Sequence, residues 1–177
     1  MAIAGLIRCN GTVGRVISEG CRVIVGAAMS EDNPIRVFVT HMFADHPDYA
    51  RVFDYLESVS NFFYHNCSAV DAMPPSGGNE AIRAVLREQI RASEVIILIS
   101  SMIMENRDLI SFEINAAKAA ELPIVGLEPF GGGSIPDAVR GFCDETVGWN
   151  DRMIVDAIRR QARHEQTTRW DVIEFDM

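Results

Sequence analysis

The chain has 177 residues, of which 48% are hydrophobic and 23% are charged, and its formal net charge is −9. This composition is typical of one globular domain, which at such a length buries roughly 70% of its unfolded surface and needs no disulfide or metal for stability. The negative charge argues against general nucleic-acid binding, because neutralising phosphates requires a concentrated basic face.

Residues 1–28 differ from the rest of the chain, since they are punctuated by glycines and contain only short β-like runs. We predict that residues 1–34 form an N-terminal extension outside the core, with an ordinary β-hairpin added to the domain as the alternative. Met29 is a candidate natural start, because a polar lead-in and a strong strand follow it. Charged residues interrupt the apolar residues of segment 1–28, which therefore does not resemble a signal peptide.

The first half of the domain begins with a β-branched run at residues 35–40, typical of a strand. A helix follows, for which Asp45 or Asp48 is the predicted cap, and its apolar residues recur at three- and four-residue spacing. The next predicted elements are a weak strand, a loop rich in proline and glycine, and an amphipathic helix, at residues 62–70, 71–78 and 81–90.

The second half begins with residues 94–100, whose continuous apolar run is typical of a central strand covered on both faces. Residues 102–105 are predicted as an apolar loop. The remaining predicted elements are a helix, a strand, a short helix, a strand and a last helix, at residues 110–120, 123–127, 136–142, 145–149 and 150–163. The arginines of the last helix are interpreted as a solvated face. Residues 35–163 are thus the predicted domain, and residues 164–177 a C-terminal tail.

The alternation of strands and helices predicts right-handed βαβ units and a parallel sheet. Five strands with helices on both faces indicate a doubly wound α/β fold with the flavodoxin-like order 2-1-3-4-5. Ligands of such sheets bind outside the carboxyl ends of the strands. The loops after Thr40, Val70, Ser100 and Leu127 are therefore the candidate site.

The four cysteines, Cys9, Cys21, Cys67 and Cys143, are widely spaced. This spacing argues against a zinc site and a disulfide framework, and it favours a reducing cytosol. Cys67 and Cys143 are interpreted as buried apolar residues. No apolar run approaches the roughly 18 residues of a membrane helix, so we predict a cytoplasmic protein without a membrane partner. From the cysteine spacing we also predict no bound metal.

Six segments, in this order, resemble the Toll/interleukin-receptor-like (TIR-like) family, in particular the TIR-like sensors of bacterial Thoeris antiphage defence. They are RVFVTH at 36–41, LREQIRASEVIILI at 86–99, ISFEINAAK at 110–118, PIVGLEP at 123–129, IP at 135–136 and VGWN at 147–150. The resemblance covers about residues 35–160. It implies cleavage of the nicotinamide–ribose bond of NAD, which is a substrate here and not a cofactor. It also implies a product, ADP-ribose or a cyclic ADP-ribose-like signal, that activates a separate effector, and self-association into a homo-oligomer.

Glu113 matches the catalytic glutamate of the family. Breaking a bond to cationic nicotinamide proceeds through an oxocarbenium-like state and releases a neutral leaving group, so one carboxylate suffices. The alternative for Glu113 is a surface glutamate that favours the start of its helix.

Five other residues are candidates for substrate binding because they lie at or near the ends of the first and third predicted strands: Thr40, His41, Asp45, Ser100 and Ser101. For His41 alone, a core histidine or an exposed one is the simpler interpretation, and helix capping explains Asp45 equally well. The triple glycine 131–133 is interpreted as a flexible turn, with phosphate binding as the alternative.

Three rival functions are compared with NAD cleavage. A TIR-like module without enzymatic activity is the first, favoured by Leu109 and Ile110, which stand where the family often has an aromatic residue. A nucleoside deoxyribosyltransferase-like enzyme is the second. A phosphoacceptor receiver domain is the third, and it fails because Thr40, His41, Ser100 and Ser101 occupy the places of its acidic residues.

Overall fold

The computed structural model describes residues 29–165 of the chain. These residues form five strands and six helices. The strands are β1 (Ile35–Val39), β2 (Tyr64–Asn66), β3 (Val95–Ile99), β4 (Ile124–Leu127) and β5 (Glu145–Val147). The helices are α1 (Pro47–Glu57), α2 (Gly78–Arg91), α3 (Met102–Glu105), α4 (Arg107–Ala119), α5 (Asp137–Arg140) and α6 (Asp151–Arg163).

The five strands form one parallel sheet in the order β2-β1-β3-β4-β5. In register, Phe38 of β1 is opposite Ile96 of β3, and Ile97 of β3 is opposite Val125 of β4. All five residues of β3 are buried, as expected for a central strand covered on both faces. The predicted flavodoxin-like α/β fold is therefore confirmed.

The helices cover the sheet in two groups, α2 with α4, and α1 with α6. Helix α4 directs Ile110, Glu113, Ile114 and Ala117 into the interior, at the three- and four-residue spacing of one helix face. The side chain of Asn106 caps this helix by accepting a hydrogen bond from the backbone N–H of Leu109. Helix α4 thus begins at the edge formed by the carboxyl ends of the strands and carries one acidic side chain into the core.

The predicted cap of α1 is wrong. His46 caps this helix, because its Nδ1 accepts a hydrogen bond from the backbone N–H of Asp48 at 3.1 Å. Asp45 is exposed, and the carboxylate of Asp48 instead pairs with Arg51. An imidazole nitrogen placed on the first turn satisfies the same unpaired N–H groups that a carboxylate would.

Two further predictions need correction. Residues 102–105 form helix α3 and not a loop, because Met102 and Ile103 turn inward and are buried. The last helix is not a simply solvated face: Arg163 is only 8% exposed, and its guanidinium pairs with Glu94 at 3.0 Å.

Residues 29–34 contact the C-terminal end of the described chain and the core. The backbone N–H of Met29 donates to Glu165 at 3.2 Å, and Met29 packs against the core. The predictions for residues 1–28, with Cys9 and Cys21, and for residues 166–177 lie outside the described residues. The boundaries at 34 and 164 remain predictions. Cys67 and Cys143 are half-buried, and partial burial raises the pKa of both thiols.

Candidate functional site

Thr40 joins the ends of the two central strands. Its backbone N–H donates to the carbonyl of Ile97 at 2.9 Å, and its Oγ1 accepts from the backbone N–H of Ile99 at 3.0 Å. Thr40 is fully buried. The hydroxyl therefore extends the β1–β3 hydrogen-bond ladder by one step. A substrate that contacts this hydroxyl would have to bind it together with the Ile99 N–H.

His41 is a buried histidine with both ring nitrogens engaged. Nδ1 accepts from the backbone N–H of Phe43 at 3.3 Å, which leaves the hydrogen on Nε2, where it is donated to Oε1 of Gln89 at 2.9 Å. Burial lowers the pKa of His41, and the hydrogen bond to Gln89 only partly opposes this shift. The imidazole is therefore neutral, and the exposed interpretation of His41 is wrong.

Glu113 is fully buried beneath α4. Its Oε1 accepts a long hydrogen bond, 3.4 Å, from the backbone N–H of His41. Its Oε2 has no hydrogen-bond partner among the described residues. Burial raises the pKa of Glu113 well above its ordinary value, and the single bond from His41 offsets only part of the shift. The surface-glutamate interpretation is therefore wrong, and burial favours the protonated form of the carboxyl.

Ser100 and Ser101 follow β3 but have different surroundings. Ser100 is 4% exposed, and its Oγ has no hydrogen-bond partner within residues 29–165. The Oγ of Ser101 donates to Oδ2 of Asp48 at 2.7 Å, and Asp48 also pairs with Arg51. Ser101 thus belongs to a closed polar cluster, whereas Ser100 retains an unused hydroxyl. Buried polar groups are normally paired, so unpaired ones point to strain or to a missing ligand.

Asp45 lies apart from the buried carboxyl, on the rim of an open cavity of about 510 Å³. Tyr49, Asn66, Ser68 and Asp71 also line this cavity. Phe43 separates it from His41, since the phenyl and imidazole rings meet edge to face with centroids 4.7 Å apart. The structure therefore brings Thr40, His41 and Glu113 together at one edge of the sheet, and it leaves Asp45 on the adjacent surface.

The sequence prediction missed Gln89 and an aromatic cluster. Gln89 lies on the apolar face of α2. A polar side chain on an apolar helix face indicates a buried hydrogen bond, and the sequence could have revealed Gln89 in this way. The guanidinium of Arg51 lies 3.6 Å from the ring centroid of Phe130 and 5.7 Å from that of Trp149. No spacing rule connects these three residues, because they lie far apart in sequence.

The glycines at 131–133 all have positive φ angles, between 87° and 118°. Side-chain-bearing residues rarely adopt this conformation, so the turn requires glycine at these positions. The alternative of phosphate binding remains a prediction.

Residues 29–165 contain no group of three or more His, Cys, Asp or Glu side chains able to hold a metal ion. In the same part of the chain, none of the helices has the length and apolar character needed to cross a membrane.

A solved structure shares this fold. The crystal structure of a conserved protein from Enterococcus faecalis V583 superposes with a TM-score of 0.50 at 13% sequence identity, covering 72% of this chain and 98% of that chain. At such low identity the likeness supports the fold alone. A search of curated proteins found no match.

The family of the chain follows from its sequence. The family model described as "Thoeris protein ThsB, TIR-like domain" matches residues 38–132, more than half of the chain. The matched segment includes Glu113 and all five candidate binding residues, and the parallel 2-1-3-4-5 sheet agrees with it. The match favours a TIR-like protein over a deoxyribosyltransferase-like enzyme. The chain therefore belongs to the TIR-like domain family of Thoeris protein ThsB.

Proposed function

We propose that this defence-related TIR-like protein cleaves NAD, releases nicotinamide, and forms ADP-ribose or a cyclic ADP-ribose-like signal that activates a separate effector. The observation that carries the proposal is the carboxyl of Glu113, which is fully buried at the ligand-binding edge of the sheet with one oxygen unpaired among the described residues. A buried carboxyl with an unpaired oxygen lowers the stability of the fold, and such groups are found mainly at functional sites.

The surroundings of Glu113 suit the chemistry. A dry site strengthens the interaction of a carboxylate with the cationic ribose that forms as nicotinamide departs. A cationic substrate brought close to the carboxyl favours its charged form and therefore opposes the effect of burial on the pKa of Glu113. Glu113 then stabilises the oxocarbenium-like state or holds the ribose hydroxyls, and Ser100 offers a hydroxyl for the same substrate.

Access of a substrate to Glu113 requires a rearrangement, because the carboxyl has no exposed surface in this structure. The segment between β2 and α2 is a candidate for this movement. It contains Pro74 and Pro75, and two successive glycines, Gly77 and Gly78, have positive φ angles at the start of α2. We propose that self-association into a homo-oligomer drives the opening, so that the isolated protein is inactive and the assembled one turns over NAD.

The test is NAD consumption, followed by mass spectrometry of the products, at a protein concentration where assembly is demonstrated. Glu113→Gln preserves size and removes the charge, and Glu88→Gln on the exposed face of α2 is the matched control. The proposal predicts nicotinamide and an ADP-ribose species from the wild type and from Glu88→Gln only. Equal turnover in Glu113→Gln would remove Glu113 from the mechanism.

A second candidate function is a TIR-like module that binds a nucleotide or assembles without chemistry. The complete burial of Glu113 favours it, because a carboxyl without exposed surface contacts no substrate. Demonstrated assembly and NAD binding without any product from the wild type would support this function over NAD cleavage.

A further inference from the structure

Gln89 joins two segments that are distant in sequence. Its Oε1 accepts from the backbone N–H of Ala69 at 3.1 Å, and its Nε2 donates to the carbonyl of the same residue at 3.4 Å. The same Oε1 also accepts from Nε2 of His41 at 2.9 Å. One side-chain amide thus holds the start of the β2–α2 segment and the imidazole at the end of β1.

The chemistry of these bonds requires an amide at position 89. Because Phe43 donates to Nδ1 of His41, the Nε2 of His41 must be a donor and needs an acceptor. The N–H of Ala69 needs an acceptor as well, whereas its carbonyl needs a donor. Glutamine supplies both, glutamate supplies only the acceptor, and methionine supplies no donor and only a weak sulfur acceptor.

The imidazole of His41 is fixed on its other sides by aromatic rings. Its centroid lies 5.5 Å from that of Phe38, 4.7 Å from that of Phe43 and 6.2 Å from that of Tyr49. The ring is packed against these three neighbours and bonded to Gln89 at Nε2, and its Cβ joins it directly to the His41 backbone. The N–H of that backbone is the donor to Oε1 of Glu113, at 3.4 Å.

We propose that Gln89 is a positioning residue that couples the β2–α2 segment to the carboxyl of Glu113 through His41. The inference rests on the proposed function for its catalytic meaning, but the coupling itself is a structural property. Movement of the segment at Ala69 strains or releases the Gln89 bonds, and the His41 N–H then shifts relative to Glu113. A rearrangement of the β2–α2 segment thereby changes the surroundings of the Glu113 carboxyl, although this carboxyl is fully buried.

The coupling is tested by hydrogen exchange of the full-length protein, resolved to single amides by NMR. Gln89→Met removes both functions of the amide at similar size, and Gln161→Met in α6 is the matched control. We expect Gln89→Met to raise the exchange rate of the Ala69 and His41 amides about tenfold each, the effect of one lost hydrogen bond. A rise at Ala69 alone would reduce Gln89 to a local anchor and overturn the proposal, as would no rise at either amide.

A second variant separates the two arms of this connection. Gln89→Glu retains the acceptor for His41 and for the Ala69 N–H, but it replaces the donor to the Ala69 carbonyl with a carboxylate oxygen that repels this carbonyl. We therefore expect the Ala69 segment to move away and its amide to exchange faster, while the His41 amide stays near wild type. Equal exchange at His41 in Gln89→Glu and Gln89→Met would contradict the proposed route. If Gln89→Met fails to fold by circular dichroism, Gln89→Asn, which keeps the amide but is too short for both bonds, replaces it with the same expected result.

Turnover provides the functional measurement. In assembled protein, we expect Gln89→Met to lower kcat about tenfold, Gln89→Glu to recover most of that loss, and Gln161→Met to match the wild type. Unchanged kcat in Gln89→Met beside an active wild type would overturn the positioning function. An inactive wild type would instead contradict the proposed function, and hydrogen exchange would still decide whether Gln89 couples the segment to His41.

Discussion

Replacing Glu113 with glutamine should stabilise the protein, and the gain should increase with pH. The side chain is fully buried, and its carboxyl oxygen Oε1 accepts only a long bond from the His41 N–H. The amide oxygen that the substitution introduces is equivalent to Oε1, so the Glu113→Gln variant keeps the acceptor, loses the titrating group and places an uncharged NH2 group where Oε2 stood. Burial raises the pKa of Glu113 well above its ordinary value, so the folded protein binds this proton more tightly than the unfolded chain does.

The magnitude follows from linkage. A group whose pKa is raised by folding contributes its full stability below the unfolded pKa, about 4.3 for glutamate, and loses it as pH rises towards the folded pKa. Over this interval the wild type loses about 1.4 kcal/mol per pH unit relative to Glu113→Gln. For a protein of this length, that corresponds to roughly 3–6 °C in Tm per pH unit.

The assay is thermal unfolding of both proteins at pH 5, 6 and 7. We expect the Tm of Glu113→Gln to exceed that of the wild type by an amount that grows with each step. The control is Glu88→Gln, because the Glu88 side chain is 76% exposed. Its Tm difference from the wild type should not increase with pH. A Tm difference that stays constant from pH 5 to pH 7 would mean that the Glu113 carboxyl ionises freely in the folded protein, and it would refute the reasoning.

Three further predictions test the packing and the site. Gly126→Ala places a methyl group 2.6 Å from a cysteine sulfur and should cost about 1–3 kcal/mol, whereas Gly148→Ala, with its nearest atom at 3.6 Å, should change stability by less than about 0.5 kcal/mol. Arg163→Met leaves Glu94 without its 3.0 Å ion pair in a mostly buried setting and should cost about 2–3 kcal/mol by urea unfolding. Ser100→Ala removes a hydroxyl that is unpaired among the described residues, so it should stabilise by about 1 kcal/mol while NAD turnover falls.

Each of these substitutions has an outcome that contradicts it. Equal unfolding midpoints for the two glycine variants would show that the β4 backbone moves away to make room. A neutral Arg163→Met would mean that Glu94 is sufficiently stabilised by its remaining contacts, the 2.9 Å hydrogen bond from the Arg36 N–H and the 3.9 Å ion pair with the Arg36 guanidinium. A destabilised Ser100→Ala would show that the hydroxyl is hydrogen-bonded in solution, and unchanged turnover would remove Ser100 from the site.

The local pattern of the sequence determined the elements and their order. The apolar run at 94–100 is confirmed as the central strand β3, and the helical spacing from Ile110 to Ala117 is confirmed as the buried face of α4. These predictions succeed because a strand or a helix leaves its own period in the chain. The same alternation predicted the parallel sheet, since βαβ connections allow few other topologies.

The details at the element ends were beyond local patterns. His46 instead of an aspartate caps α1, and Met102 and Ile103 turn a predicted loop into helix α3. Capping is a competition between neighbouring acceptors, and burial of two apolar side chains depends on a core that local sequence does not describe.

The candidate site shows the same division. The sequence named His41 and Ser100 because they end predicted strands of a doubly wound sheet, and it named Glu113 because this residue matches the catalytic glutamate of the TIR-like family. Only the tertiary structure decided that the Glu113 carboxyl is fully buried, with a raised pKa, and that Gln89 is hydrogen-bonded to both His41 and Ala69. Burial and hydrogen bonding between distant segments are properties of the packed chain, because each depends on what the other elements place beside the residue.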